Sequence, residues 1–391
     1  MGRQAVTGGL ADWLRFALTP IGPARQRSLL AAFGLPGNIF AQPRGHLVNI
    51  AGHEAADALL NGPDPAALEA ALAWADEDGN HILTLADAAY PRSLLETADP
   101  PLVLYAKGDT SLFARPILAM VGSRAPTAQG EANAEAFARN LSEAGLTIIS
   151  GLAQGIDAAA HRGVLAVEGG STIAVIGTGI DRVYPARNAA LAREIADKGL
   201  ILSEFPLGTP PARWNFPRRN RLIAGLSLGV LVVEAALESG SLITARLAAD
   251  AGREVFAIPG SIHSPQARGC HRLIREGAKL TETTEDVLEE LRGHIGASSP
   301  RHVAVSRRTS SPSRQPLDAV SQPSPVPAHL APEAIQVLEA LGHEARDIDT
   351  LALSTGLAVD ALHTHLLTLE LEGLASRQPG GGFLRLHVRA A

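Results

Sequence analysis

Apolar and polar positions repeat with two different periods along this chain of 391 residues, and the change of period divides it into blocks. In residues 1–76, apolar positions recur every three or four residues, which is typical of helices with one buried face. In residues 77–295, short apolar runs alternate with amphipathic stretches of helical period, which predicts strands and helices in turn. Residues 296–328 have no period, and residues 329–391 return to the helical one. We therefore predict three domains and a linker.

The first domain is predicted to be small and helical. Its expected helices span residues 10–18, 24–33, 46–61 and 65–76. The first two flank Thr19-Pro20-Ile21-Gly22-Pro23, an apolar turn typical of a helix-hairpin-helix, whose amides can meet a DNA phosphate. Many helical hairpins turn on glycine and proline without binding DNA, so this turn leaves both interpretations open.

The middle domain is predicted to be α/β, with a Rossmann-like, doubly wound parallel sheet. The expected strands span residues 117–121, 147–150, 172–176, 200–203, 229–234, 254–258 and 279–282. Helical stretches separate them, for example residues 129–143, 157–168, 189–198 and 242–251. Strands that alternate with helices in this way pair in parallel, because each helix carries the chain back across one face of the sheet.

The linker and the last domain differ in composition. Residues 296–328 hold six prolines and eight serines, which favours a flexible, mildly basic linker. Three helices and then a glycine-tipped hairpin follow, at residues 332–341, 348–353, 359–372, 374–378 and 383–386. This order is typical of a winged helix. Its third helix, the one that would read DNA, has no lysine or arginine, so contact with protein is favoured over contact with DNA.

The net charge of the chain is -6, so a local excess of cations is not a by-product of a basic protein. Residues 205–233 have no acidic residue. They contain, in one run, Arg213, Trp214, Phe216, Arg218, Arg219, Asn220 and Arg221. Guanidinium groups bind phosphates and aromatic rings stack on unpaired bases, so this loop between two strands predicts a nucleic-acid contact. A solvated loop with cation–π contacts is the alternative.

Glycine with serine or threonine follows five of the predicted strands. The candidate contacts at these strand ends are Ser123, Arg124, Gly151, Gly155, Gly177, Gly179, Ser239, Gly240, Ser241 and Thr244. The carboxyl ends of parallel strands meet at one edge of the sheet, where ligands bind. Backbone amides at helix starts bind anions when glycine allows close approach, so we predict a phosphate-type ligand there. Tight packing turns would require the same glycines.

Other classes of protein find less support in the sequence. There is no GxGxxG after the first strand and no GxxxxGK[ST], the phosphate-binding motifs of dinucleotide enzymes and P-loop ATPases. The single cysteine, Cys270, excludes a disulfide framework and a cysteine-rich zinc site. No catalytic set, metal site or cofactor is predicted. The sequence lacks a signal-peptide core and an apolar stretch of membrane-spanning length, so we expect a cytoplasmic protein.

Seven segments of the middle domain keep a fixed order and close spacing. They are VGSR at 121–124, SGLAQGID at 150–157, IGTGID at 176–181, SEFP at 203–206, FPRRNRLIAGLS at 216–227, SGSLITA at 239–245 and LIREGA at 273–278. With these segments, roughly residues 80–290 resemble the DNA-processing protein A family (DprA, also called Smf). One departure is Cys270-His271, where members usually have threonine or serine followed by asparagine.

The resemblance implies a protein that binds single-stranded DNA, protects incoming strands and loads the RecA recombinase during natural transformation and recombination. It also implies a Rossmann-like core, an N-terminal domain like a sterile alpha motif, a homodimer, and neither catalysis nor a cofactor. The family's DNA contacts would correspond to Ser123, Arg124 and the segment 216–221 of this chain.

Two other functions stay open. A nucleotide-binding enzyme like the phosphoribohydrolases could use the same sheet edge, with Glu234 acting on an N-glycosidic bond. The Pro-Gly-Gly-x-Gly-Thr motif of those enzymes is missing here, however. A pure adaptor would instead bind a partner through the acidic last domain and leave the groove unused. The aromatic and arginine run is longer than one nucleotide needs, which favours single-stranded DNA.

Overall fold

The computed structural model describes residues 4–295, 330–341, 346–377 and 382–386. They fall into two units, the larger made mostly of residues before the predicted linker and the smaller mostly of residues after it, and we describe each unit by itself. The predicted linker and most of the predicted hairpin tip lie outside the described residues. Within the described ranges, no helix is long and apolar enough to cross a membrane.

Six helices open the larger unit. They are α1 (Gln4–Leu18), α2 (Pro23–Phe33), α3 (Pro36–Phe40), α4 (Arg44–Ala51), α5 (His53–Asn61) and α6 (Pro65–Ala75). The single helix that we predicted over residues 46–61 is two helices, because Gly52 between them has a φ of 84°. Only glycine adopts this conformation readily, and it ends α4 there. Trp13 and Leu14 of α1 belong to a buried cluster shared with the sheet, so the helices pack directly on it.

A nine-stranded sheet is the centre of this unit. Its strands are β1 (Asn80–Thr84), β2 (Val103–Gly108), β3 (Ile117–Val121), β4 (Thr147–Ser150), β5 (Thr172–Val175), β6 (Leu200–Ser203), β7 (Gly229–Val232), β8 (Glu254–Ala257) and β9 (Lys279–Leu280). They lie in the order β1-β2-β6-β5-β4-β3-β7-β8-β9. The strands from β6 across to β9 pair in parallel, as predicted. We did not predict β1 and β2, which extend one edge in antiparallel pairing.

Strand β3 shows why helices cover both faces of the sheet. Ile117, Ala119 and Val121 belong to one buried cluster, and Leu118 and Met120 belong to another. A strand buried on both faces has a continuous apolar sequence. The helices in this part of the chain are α7 (Arg92–Leu95), α8 (Ala128–Glu143), α9 (Ile156–Leu165), α10 (Ala189–Lys198), α11 (Asn215–Leu226), α12 (Gly240–Asp250), α13 (Arg268–Arg275) and α14 (Thr284–Ile295). The Rossmann-like α/β fold is confirmed.

The arginine run lies mostly in helix α11 and not in the loop that we predicted. Its first turn contains Pro217, which is tolerated because the first amides of a helix have no partner inside it. Positions such as Asn215, Arg219, Leu222 and Leu226 are buried on one face, which is the helical period. We missed this period because an arginine occupies one of its buried positions.

The smaller unit contains three helices and a hairpin in the order predicted for a winged helix. They are α15 (Pro332–Leu341), α16 (Ile348–Thr355), α17 (Val359–Leu371), β10 (Ala375–Arg377) and β11 (Phe383–Arg385). The two strands pair antiparallel. Leu338, Leu351 and Leu366 from the three helices pack with Phe383 from the hairpin, so every element contributes to one core. The winged-helix fold is confirmed.

Candidate nucleic-acid interface

A cavity of about 500 Å³ lies at the carboxyl ends of β3 and β7. The strand order reverses between these two strands, since β4 to β6 lie on one side of them and β8 and β9 on the other. Such a switch point leaves the crevice in which doubly wound sheets bind ligands. Of the predicted contact residues, the lining includes Ser123, Arg124, Phe216, Arg219, Asn220, Ser239, Gly240, Ser241 and Thr244.

The turn after β3 presents Arg124 to this cavity. Gly122 is required in the turn, because a Cβ atom there would lie 2.7 Å from Cγ1 of Ile156. Ser123 holds the turn in place, since its Oγ accepts a hydrogen bond of 3.1 Å from the Ala125 amide. Arg124 is exposed, so its guanidinium is available to an anion in the cavity.

Helix α12 begins at the cavity with a serine cap. The Oγ atom of Ser239 accepts a hydrogen bond of 3.3 Å from the Ser241 amide. At Gly240 an added Cβ atom would meet nothing within 4 Å, so the first turn is open at this position. Thr244 follows one turn later and also lines the cavity. The first-turn amides carry the positive end of the helix dipole, which favours an anion here.

Arg219 is a buried arginine, only 4% exposed. Its Nη1 atom donates hydrogen bonds to the carbonyl oxygens of Gly151 and Val175, at the ends of β4 and β5. Asp157 is also buried, and its Oδ2 atom accepts a hydrogen bond of 3.1 Å from the Gly151 amide. Gly151 therefore links a buried cation to a buried anion. A Cβ atom on Gly151 would collide with the guanidinium, which explains the glycine.

Burial shifts the pKa values of Arg219 and Asp157 in opposite directions. It lowers the pKa of Arg219 to about 10, and the Asp157 carboxylate opposes the shift. It raises the pKa of Asp157, against the opposing effects of Arg219 and two backbone amides. A guanidinium with a pKa of about 10 stays protonated at neutral pH. Arg219 thus holds two strand ends together as a charged residue, and its direct contact with DNA stays a prediction.

The other arginines of the run divide between the protein interior and solvent. Arg221 donates hydrogen bonds to the buried carboxylate of Glu204 and to the carbonyl oxygen of Asp99. Arg218 is half-exposed, with its Nη2 atom 3.2 Å from Oε2 of Glu204. Arg213 is exposed, ahead of α11. We predicted four equivalent cations, but the period of the helix turns two of them inward.

Four of the predicted glycines are absent from the cavity lining: Gly151, Gly155, Gly177 and Gly179. Gly155 has a φ of 81° and packs against the carbonyl oxygen of Ser123. Gly177 leaves room for a ring, because a Cβ atom there would lie 2.9 Å from Cδ1 of Phe216. Close packing, the alternative left open by the sequence, explains these glycines. Their contact with a ligand stays a prediction.

Phe216 contacts a cation and a second aromatic ring. The guanidinium carbon of Arg124 lies 5.6 Å from the centroid of Phe216. The rings of Phe216 and Tyr184 are 5.5 Å apart at an interplanar angle of 38°. We call these three residues the stacking platform. Tyr184, which is 49% exposed, was not predicted, because it comes from the loop after β5. The sequence signal that could have identified Tyr184 is its position as an aromatic residue shortly after the IGTGID turn.

Three side chains of types that can act in catalysis have contacts inside the protein. His161 is buried with its Nδ1 atom 2.7 Å from the Thr172 hydroxyl, and burial lowers its pKa to about 3. Burial raises the pKa of the Cys270 thiol to about 12, which disfavours the thiolate. The neighbouring His271 lies 2.9 Å from the carbonyl oxygen of Gly260. No cluster of three metal-binding side chains is found among the described residues.

Comparison with known proteins assigns this geometry to a family. The family model described as DNA recombination-mediator protein A matches residues 81–292, and the model described as DprA winged helix domain matches residues 321–381. The chain belongs to the DNA recombination-mediator protein A family. It is 42% identical over 329 residues to Protein Smf of Escherichia coli (strain K12), covering 82% of this chain and 83% of that protein.

Two solved structures agree with this assignment. DNA processing protein A (DprA) from Streptococcus pneumoniae matches with a TM-score of 0.64 and 38% identity, over 71% of this chain and 97% of that one. DNA processing protein A from Helicobacter pylori, described for its single-stranded DNA binding mode, matches with a TM-score of 0.50 and 32% identity, over 55% of this chain and 96% of that one. The resemblance to the DprA and Smf family is confirmed.

Proposed function

We propose that this protein binds single-stranded DNA in and beside the cavity, with phosphates at Arg124 and at the start of α12 and unstacked bases on Phe216 and the adjoining Tyr184. The observation that carries the proposal is the stacking platform beside a helix N-terminus. Cations and amides bind phosphates, and exposed rings bind the faces of unpaired bases. In a duplex the bases are stacked on one another, so no base face is free to stack on the aromatic rings of the protein.

The relatives support a role in recombination. The family model describes a recombination mediator, and the Helicobacter pylori relative is described as binding single-stranded DNA. We propose further that this protein protects incoming strands in the cytoplasm and loads RecA during natural transformation and recombination. We also propose that it does so as a homodimer and without catalysis or a cofactor. Binding of this kind needs no reactive side chain, unlike the hydrolase alternative.

Fluorescence anisotropy tests the proposal with a labelled single strand, the matched duplex and a mononucleotide across a salt series. We expect the single strand to bind most tightly, with log affinity falling by about 0.7 for each phosphate contact per decade of salt. Binding of the mononucleotide alone would contradict the proposal. It would favour the phosphoribohydrolase alternative and direct attention to Glu234.

The winged-helix unit is proposed to contact protein rather than DNA. Its helix α17 has no lysine or arginine, so it cannot neutralise phosphates. The same helix exposes Leu367 and Leu371, with 58% and 81% of their surface accessible. Exposed apolar side chains on one helix suit a protein partner better than a polyanion.

Deletion of residues 329–391 is therefore expected to leave the affinity for a single strand essentially unchanged. The cavity, the platform and α12 all belong to the larger unit. Anisotropy with the same oligonucleotide measures the effect, and thermal unfolding of the shortened protein checks that the larger unit is folded. A loss of affinity of about tenfold, or 1.4 kcal/mol, would show that the last domain holds DNA.

A further inference from the structure

A cavity of about 660 Å³ is lined by helices α12 and α13 and by strand β8. Its apolar lining includes Leu242 of α12, Val255 of β8 and Leu273 of α13. We call it the α12–α13 cavity. Its volume lies within the range of about 300–1,000 Å³ that is usual for ligand sites. The binding of single-stranded DNA proposed above leaves this cavity unused.

The start of α12 forms a wall of two cavities. Glu238, Ser239 and Ile243 line the α12–α13 cavity and also the cavity at the ends of β3 and β7, which we call the first cavity. Farther along α12, Thr244 lines the first cavity and Arg246 lines the α12–α13 cavity. The shared residues therefore form a ridge between the two. Ile243 is 45% exposed, so the ridge is open to solvent and a strand bound in the first cavity can cross it.

Arg246 is an exposed cation in the lining of the α12–α13 cavity. Within the residues that the structure describes, it forms no hydrogen bond or ion pair, so its guanidinium is available to a ligand. Arg246 follows Ser239 by a helical rise of about 10 Å, which about three nucleotides span at roughly 3.4 Å for each stacked one. Arg246 is therefore within reach of the nucleotides that follow a phosphate at the start of α12.

Arginines outnumber acids around Glu276, which also lines the α12–α13 cavity. Arg272 donates a hydrogen bond of 2.8 Å to this carboxylate and lowers the pKa of Glu276. The charges of Arg246 and Arg275 lower the same pKa further. One carboxylate cannot neutralise three guanidinium groups, so this part of the cavity keeps a positive charge that favours an anion.

We propose that the α12–α13 cavity is a second subsite for the bound single strand, in which Arg246 binds a phosphate beyond the one at the start of α12. The strand crosses the ridge at Ile243, and its base faces lie against apolar side chains of the cavity. Guanidinium groups bind phosphates whatever the base, so no sequence preference follows. The inference rests on the proposed binding of single-stranded DNA and extends the path of the strand. A protein segment would also fit the apolar lining, but it would not account for the ridge shared with the first cavity.

Thymidine oligonucleotides of increasing length, from about 4 to about 16 nucleotides, test the second subsite by fluorescence anisotropy. The shortest strands occupy the first cavity alone, so the wild-type protein and Arg246→Ala should bind them equally well. For the longer strands, Arg246→Ala should weaken binding about tenfold, the effect of one charge-assisted hydrogen bond. The slope of log affinity against log salt should also fall by about 0.7, and only for the longer strands.

A second variant and two controls make the test specific. Ala249→Glu adds a carboxylate at an exposed position in the lining of the α12–α13 cavity, so it should weaken the binding of the longer strands selectively. Ala136→Glu adds the same charge to the exposed face of α8, and Arg139→Ala removes an arginine from that helix. Neither control position lines the two cavities, so both controls should bind every length as the wild-type protein does. Thermal unfolding checks that each variant is folded.

Each outcome decides between the two proposals. If either Arg246→Ala or Ala249→Glu binds the longer strands as tightly as the wild-type protein, the second subsite is wrong and binding in the first cavity stands. An equal loss for short and long strands would also overturn the second subsite, because the substitution would then act on the first cavity. Failure of the wild-type protein to bind strands of any length would instead contradict the proposed function itself.

Discussion

Arg124→Ala is expected to weaken single-strand binding about 10- to 100-fold, because a charge-assisted hydrogen bond contributes about 1.5–3 kcal/mol. Arg124 lines the cavity and lies against Phe216, so its removal takes away a phosphate ligand and one side of the stacking platform. Anisotropy across a salt series measures both consequences. The slope of log affinity against log salt should also fall by about 0.7, the value for one phosphate contact.

Two control variants separate a local effect from a change in net charge. Arg139→Ala removes another exposed arginine, from α8 and outside the cavity lining, and should leave the affinity nearly unchanged. Arg124→Lys keeps the charge but loses the planar fork, so an intermediate affinity is expected. If Arg124→Ala and Arg139→Ala bind the strand equally well, phosphate binding at the turn after β3 is wrong.

Arg219→Met is expected to destabilise the larger unit by about 2–6 kcal/mol, because each of two buried carbonyl oxygens loses its donor at a cost of about 1–3 kcal/mol. The substitution removes the hydrogen bonds to Gly151 and Val175 and leaves Asp157 buried without its cation. Chemical denaturation measures the free energy of unfolding. The affinity of the remaining folded protein for DNA should change less than in Arg124→Ala, because Arg219 is buried.

The matched control for this substitution is Arg218→Met, at the preceding position of the same helix. Arg218 is half-exposed and forms one ion pair with Glu204, so its loss should change stability by less than about 1 kcal/mol. Combining Arg219→Met with Asp157→Asn removes the uncompensated carboxylate and should recover part of the lost stability. An Arg219→Met protein with the stability of the wild type would refute the structural role.

The arginine run illustrates how far the sequence could be interpreted. Its lack of acids and its aromatic residues indicated an anionic ligand at the carboxyl edge of the sheet, and a cavity lies at that edge. Because we interpreted the run as a loop, we had no reason to expect some of its arginines to be buried and others exposed. In the structure, Arg219 and Arg221 face inward while Arg213 and Arg218 reach solvent. We missed the helical period, which was visible as the spacing of four residues from Asn215 to Arg219 and again to a later apolar residue.

The glycines and the aromatic residues show a different limit. A glycine after a strand indicates that another part of the chain lies close to it. It does not indicate whether the neighbouring atoms belong to a backbone or to a side chain. At Gly177 the neighbour is the ring of Phe216, which belongs to helix α11 and is distant in sequence. The contact between Phe216 and Tyr184 likewise joins helix α11 to the loop after β5, and no local sequence period connects the two.

Local sequence patterns were enough to predict the order of helices and parallel strands, the winged helix, and the edge of the sheet at which the cavity lies. These follow from local periods and from the rule that parallel strands end at one edge. Three other features depend on the folded arrangement: Arg219 and Asp157 are both buried against Gly151, Tyr184 contacts Phe216, and Arg221 contacts the buried carboxylate of Glu204. Burial and contact depend on residues distant in sequence, and a cation in a buried position looks the same in sequence as one in water.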